Sequence, residues 1–209
     1  AKLLEDPKLF EGDIIRTRNQ RNSALGRAAS TTGRWPGATM VYAIDRSLSV
    51  HARARNAIRA GMRQWSSRTC VRFRLRRGNE RAFAYFIRGS GCSSYVGRIG
   101  RRQDINLASG CWTTGIVAHE IGHALGFWHE QSRPDRDRYV RILWQNIQPG
   151  KAHNFNKRSN SEVNSLGVPY DYGSVMHYGP TAFSKNRQPT IVPRRRGVRY
   201  HSYILTLNV

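Results

Sequence analysis

Long apolar runs are missing from this 209-residue chain, and no stretch is apolar enough to span a bilayer, which excludes a transmembrane helix. Internal repeats and low-complexity segments are absent as well, and 39% hydrophobic content is enough to bury one good core. No Asn-x-Ser/Thr acceptor occurs, so N-glycosylation is not expected. Acidic residues are scarce: 13 Asp and Glu stand against 35 Lys and Arg, mostly arginine, for a formal net charge of +22. Such a field attracts nucleic acid, sulfated glycans and acidic membranes whatever the fold. There is no recognised nucleic-acid motif and no paired-cysteine zinc finger, so attraction to phosphate is nonspecific and salt-dependent, and no specific nucleic-acid partner is expected. Charge alone therefore supports a polyanion-binding protein held at a glycan surface. Cysteine is limited to Cys70, Cys92 and Cys111, an odd number that leaves at least one thiol without an intrachain partner.

What is present points elsewhere. The segment His119-Glu120-Ile121-Gly122-His123-Ala124-Leu125-Gly126-Phe127-Trp128-His129 sets three imidazoles, a carboxylate and a glycine at the separations of a hydrolytic zinc centre. On a helix, His119 and His123 lie about 40° apart around the axis and roughly 6 Å apart along it, so both rings reach one ion. Glu120 projects about 100° from His119, beside the ion rather than onto it, which suits a general base holding a water. If the helix ran on, His129 would face away; Gly126 can take the positive φ that ends the helix and turns the chain back. His-Glu-x-x-His alone arises in ordinary helices, but the longer pattern matches the metzincin signature. A structural zinc site is usually closed by four ligands and rich in cysteine, whereas three histidines leave a position open for water.

Beyond the third histidine the chain reads Glu130-Gln131-Ser132-Arg133-Pro134-Asp135-Arg136-Asp137, and later Tyr170-Asp171-Tyr172-Gly173-Ser174-Val175-Met176-His177-Tyr178. Both runs resemble the astacin family of secreted zinc endopeptidases, and weaker echoes extend from about Trp35 to Pro193. The resemblance implies an α+β, metzincin-like fold: a twisted mixed sheet with two long helices in an N-terminal subdomain, a mostly irregular C-terminal subdomain, and one Zn2+ in the cleft between, held by His119, His123 and His129. It implies Glu120 as general base and Tyr178 as a tyrosine that stabilises the oxyanion. Met176 falls at the methionine turn beneath the ligands, and Glu130 at the position that receives the mature amino terminus. By themselves Met176 would pass for a core methionine, Tyr178 for a half-buried phenol and Glu130 for a surface acid.

The same resemblance divides the chain into a pro-segment and activation linker at 1–27 and a catalytic domain at 28–209. Phe10-Glu11-Gly12-Asp13-Ile14 is similar to the family's pro-segment, which makes Asp13 a zinc ligand in the zymogen. The polar, basic stretch from Thr17 to Thr32 suits a linker cut by a trypsin-like protease after Arg18, Arg21 or Arg27. Cys92 and Cys111 match a family disulfide, closing a loop of about 20 residues worth roughly 3 kcal/mol. Cys70 is then left over, because its family partner near the carboxyl end has no counterpart after Cys111. The end itself departs from the family, with Arg194-Arg195-Arg196-Gly197-Val198-Arg199 in place of the closing helix. That departure leaves an inactive relative as a third reading beside the enzyme and the polyanion binder. No signal-peptide pattern opens the chain at Ala1, so an extracellular location rests on the cysteines and the resemblance.

Periodicity places the remaining elements. Ala38 to Ile44 reads as a strand and Val50 to Trp65 as a helix whose Val50, Ala54, Ala57, Ile58, Met62 and Trp65 form a core stripe. Val71, Phe73 and Leu75 alternate with Arg72, Arg74 and Arg76, predicting a strand with one buried and one cationic face. Ala82 to Ile87 and Gln103 to Ala108 are further strands, the latter expected at the sheet edge where an extended peptide substrate would pair. Thr113 or Thr114 caps the zinc helix. Val140 to Leu143 reads as a short strand and Pro149 to Lys157 as a short helix opened by proline.

Overall fold

The structure is a computed structural model that describes residues 4–17, 33–160 and 164–198. Its main sheet has six strands: β1 (Ile14–Ile15), β2 (Thr39–Ile44), β3 (Arg72–Leu75), β4 (Ala84–Ile87), β5 (Cys92–Tyr95) and β6 (Gln103–Leu107), in the order β1-β5-β6-β4-β2-β3. Strands β3, β2, β4 and β6 run parallel, and β5 turns antiparallel to β6. Three helices belong to this half: α1 (Arg46–Ser49), α2 (Ala52–Ser66) and α3 (Thr114–Leu125). Asp45 starts α1 by accepting a hydrogen bond from Ser47 N–H at 2.8 Å.

The core of this half forms where α2 and α3 lie on the sheet. Ile58, Met62 and Trp65 of α2 meet Val117 and Ile121 of α3 and Met40, Phe86, Ile105 and Leu107 of the strands, all buried. Each such side chain contributes about 1.5–3 kcal/mol of burial. Two indole N–H groups bond to α3 within that apolar setting: Trp65 Nε1 donates to Ala118 O at 2.9 Å and Trp35 Nε1 to Ala124 O at 2.8 Å. Helix α3 is thereby fixed along its length.

The second half is mostly irregular, as expected, built from short 3-10 turns and one two-stranded ladder of β7 (Val140–Ile142) with β8 (Ile191–Pro193). Its own cluster, including Phe155, Tyr170, Tyr178, Phe183 and Ile191, is buried separately from the first. A disulfide joins Cys92 at the start of β5 to Cys111 in the turn before α3, and Cys70 is a free, exposed thiol.

Four expectations need correction. The strand at Gln103–Leu107 is not the edge: β6 lies between β4 and β5, and β5 is the strand whose outer side receives an added segment, here β1. A five-residue run with alternating burial looks like a surface strand from its sequence, and its neighbours are fixed only by the crossover. Val50 is 59% exposed because it ends α1 rather than starting α2, and Leu75 is 58% exposed at the end of the outermost strand β3. The helix expected from Pro149 is only the 3-10 turn Ala152–Phe155. Candidate cleavage sites at Arg18, Arg21 and Arg27, and the segment from Arg199 onward, lie outside the described residues.

Candidate metal centre and active site

Helix α3 opens with Thr113, whose side chain accepts from Ile116 N–H at 3.4 Å, and closes at Gly126 with φ 115° and ψ 8°. That left-handed residue donates its N–H to the carbonyls of Gly122 and His123, the helix-ending geometry that favours glycine. The chain then doubles back and delivers His129 to the ring pair from His119 and His123.

All three rings are buried and share one polarity. His119 Nδ1 lies 2.7 Å from Val175 O, and His123 Nδ1 lies 2.8 Å from Phe127 O. A carbonyl only accepts, so Nδ1 carries the proton in both and Nε2 keeps its lone pair. His129 Nδ1 meets the Glu11 carboxylate at 2.7 Å and donates its proton there, which leaves Nε2 as the atom of this ring that a metal ion can take in place of a proton. The three Nε2 atoms converge, 3.1 Å from His119 to His123 and 3.3 Å from His119 to His129. Nitrogens bound tetrahedrally at about 2.0–2.1 Å stand roughly 3.3 Å apart. Asp13 completes the group: its Oδ2 lies 3.0 Å from His119 Nε2 and 3.3 Å from His129 Nε2, and its Oδ1 lies 3.5 Å from His123 Nε2. One atom from each of the four residues falls within 4.8 Å of all the others. Acceptors do not gather this closely unless a cation or protons lie among them, and this donor set fits one Zn2+.

Electrostatics in the protein alone give the same answer. Burial opposes charge on His129, yet the Asp13 and Glu11 carboxylates push its pKa up to about 9. Burial holds His123 down to about 4. Asp13, although desolvation opposes it, is held well below the usual carboxylate range by the His129 and His123 rings. Protons and carboxylates here perform the neutralisation that a divalent cation supplies more strongly.

Glu120 sits beside this group, fully buried, with neither carboxylate oxygen hydrogen-bonded. Burial, then the nearby Asp13 charge, pushes its pKa well up, which is the environment that tunes a carboxylate toward general-base duty. Tyr178 tilts its ring against His129, centroids 4.6 Å and planes 54° apart, and donates its hydroxyl to Glu11 O at 2.6 Å. Glu130 is largely buried, its Oε1 accepting from Arg133 Nη1 and from Asp171 N–H, both at 3.0 Å.

Met176 lies under α3, and the reason it fits there is Gly122. A Cβ on Gly122 would fall 2.5 Å from Met176 Sδ and 3.1 Å from Trp65 Cζ2. Because the adjoining Val175 carbonyl orients His119, Gly122→Ala is expected to destabilise the fold by about 1–3 kcal/mol and to weaken zinc binding about 10–100-fold. Melting and chelator competition check this; parent-like values in both would show that Met176 is not seated by that gap.

Sequence reasoning singled out Asp13 but not its neighbour Glu11, nor Arg158, nor Gly122. Arg158 Nη2 binds Glu11 Oε1 at 2.7 Å, an ion pair between residues 147 positions apart that no local pattern announces. The amino-terminal segment holds on through backbone too. Strand β1 pairs parallel with β5, Ile14 opposite Ser94 and Ile15 opposite Tyr95, and Ser94 N–H donates to Asp13 O at 3.0 Å.

Fold and site together define a metzincin-type zinc metallopeptidase domain. The chain belongs to the astacin family: the model of the Astacin peptidase family matches residues 27–204. It is similar to meprin A subunit beta of Homo sapiens, 46% identical over 189 residues covering 89% of this chain and 26% of that protein. Against the zinc metalloproteinase nas-13 of Caenorhabditis elegans it is 42% identical over 209 residues, covering 92% of this chain and 46% of the other. Among solved structures, the high choriolytic enzyme 1 of Oryzias latipes, a hatching enzyme zinc-protease, superposes with a TM-score of 0.71 at 37% identity, covering 87% of this chain and 88% of that one. The chain spans less than half the length of these two curated relatives.

Proposed function

We propose that this chain is the latent form of a secreted zinc-dependent endopeptidase, with residues 1–27 as pro-segment and activation linker and residues 28–209 as the catalytic domain. The observation that carries the reading is the set of three buried Nε2 atoms aimed at one point, with the unpartnered Glu120 carboxylate beside them. The family match beginning at residue 27 supports the boundary. The Cys92–Cys111 disulfide supports an oxidising, extracellular compartment. No helix among the described residues is long and apolar enough to cross a membrane.

His119, His123 and His129 would hold the zinc, and Asp13 would take the remaining position until activation. When bound, the cation supplies Lewis acidity toward water and toward a carbonyl oxygen. Glu120 accepts the proton of the attacking water and returns it to the departing amine. Cleavage of the linker by a trypsin-like protease releases β1 from β5, so an extended peptide can add to that strand by backbone hydrogen bonds. The Tyr178 hydroxyl, no longer bonded to Glu11 O, becomes a donor for the oxyanion, and Glu130 becomes available to the new amino terminus.

The test is digestion of casein or gelatin after tryptic activation, with and without a zinc chelator. Chelator-sensitive cleavage is the expected result. Zinc binding without any cleavage would overturn the enzyme reading in favour of an inactive relative.

A further inference from the structure

Acidic side chains number 13 against 35 cationic ones, and the ion pairs show where the acids go. Arg74 pairs with Glu80, Arg102 with Asp104, Arg133 with Glu130 and Asp135, and Arg136 with Asp137. Helix α2 receives none of them. Its 15 residues include Arg53, Arg55, Arg59 and Arg63 and no acid, and among the described residues no carboxylate pairs with any of these arginines. Arg53, Arg59 and Arg63 are exposed, while Arg55 is half-buried and donates through Nη1 to Ser49 O at 2.5 Å. Arg55, Arg59 and Arg63 follow one another about 40° around the axis and roughly 6 Å along it, as like-charged i,i+4 pairs that destabilise a helix. Arg53 adds a cation in the first turn, against the positive end of the helix dipole. Gly61 marks the opposite side, where α2 meets α3: a Cβ there would fall 2.8 Å from Val117 Cγ1 and 3.1 Å from Ala118 N. Arg59 and Arg63 each lie about 160° round the helix from Gly61, so the arginine face points away from α3 and the histidines it carries.

We propose that the outer face of α2, with Arg53, Arg55, Arg59 and Arg63, is a binding surface for a linear sulfated glycan. Guanidinium groups set paired N–H donors against the oxygens of an oxyanion, and a polyanion lying along this face offsets both the i,i+4 repulsion and the positive end of the dipole. What the face lacks selects among polyanions. Its other residues are Ala52, Asn56, Ala60 and Ser66, with no aromatic ring on which a nucleic-acid base could stack and no large apolar side chain to enter a lipid surface. The choice of a glycan rests on the extracellular reading, which the Cys92–Cys111 disulfide supports; the surface itself does not depend on peptide hydrolysis. Because the arginines face away from α3, a bound glycan leaves the catalytic cleft open and holds the protein in place while it works. The net charge of +22 could not show this, because it does not say which arginines stand together without acids.

The experiment titrates the zinc-loaded full chain with a size-fractionated heparin oligosaccharide at about 0.15 M salt. It compares the parent with a triple variant, Arg53→Gln, Arg59→Gln and Arg63→Gln, and with a charge-matched control, Arg101→Gln, Arg138→Gln and Arg141→Gln, taken from exposed arginines elsewhere. The α2 variant is expected to bind about 10–100-fold more weakly, with the slope of log Kd against log salt flattened by about two, and the control to stay within about threefold of the parent. Equal losses in both variants would assign the binding to the field of the whole chain and overturn the surface, as would an α2 variant that binds like the parent. Melting without heparin keeps the result clear of misfolding. The α2 variant should unfold no lower than the parent, because the substitutions remove only like-charge repulsion and a misplaced cation; a marked drop would show that these arginines hold the fold, and the proposal would fail. Single-stranded DNA of matched charge is the competing probe. If it binds more tightly than heparin and loses that binding in the α2 variant, the glycan assignment is overturned in favour of nucleic acid.

Discussion

Glu120→Gln is expected to retain one zinc per chain while turnover falls by about 10²–10⁴-fold. The metal is untouched because Glu120 is not among the converging atoms, which come from His119, His123, His129 and Asp13. An amide has the shape of the carboxylate but cannot take a proton from water. Stability should hold or rise, because both carboxylate oxygens of Glu120 are buried without a hydrogen bond and a neutral amide is cheaper to desolvate. Metal analysis, melting and kcat on activated material separate these effects. Loss of zinc together with activity would make Glu120 a positioning residue for the ligands, and undiminished peptidase activity would remove it from the mechanism.

The zinc helix was legible in the sequence because its information is local. Spacing places His119 and His123 on one helical face, Gly126 must stop that helix for His129 to return, and the structure has Gly126 at φ 115°. Helix α2 was legible for the same reason, its apolar residues recurring at 3.6-residue spacing. Strand order was not, since it depends on pairings between distant segments, and only the placement of β1 on β5 shows which strand receives an added segment. Nor was the anchoring of Glu11 beside Asp13. Glu11 reads as a turn acid and Arg158 as one arginine among many, and only the fold brings them to 2.7 Å. Gly122 is silent for another reason: its role is the space it leaves for Met176, and an absent side chain has no pattern.

Uncleaved Asp13→Ala should hydrolyse a small fluorogenic peptide without tryptic activation, in a chelator-sensitive manner, where the uncleaved parent is silent. Asp13 is fully buried and its carboxylate lies within 3.5 Å of all three ligand rings. Losing one charge-assisted contact of about 1.5–3 kcal/mol corresponds to a roughly 10–100-fold gain in the open population. The gain stays incomplete. Alanine clears the metal position, but Glu11 still binds His129 and Arg158, its carbonyl still occupies the Tyr178 hydroxyl, and β1 still covers β5. Adding Glu11→Gln to Asp13→Ala should therefore raise basal activity further, toward that of the cleaved enzyme, while Glu11→Gln alone leaves Asp13 in place and gives much less. The assay must use material whose linker is demonstrably intact, for instance by intact mass, because trace cleavage mimics the effect. An intact Asp13→Ala chain as silent as the parent would mean that the backbone ladder and the Glu11 contacts alone keep the site closed, and the aspartate switch would be wrong.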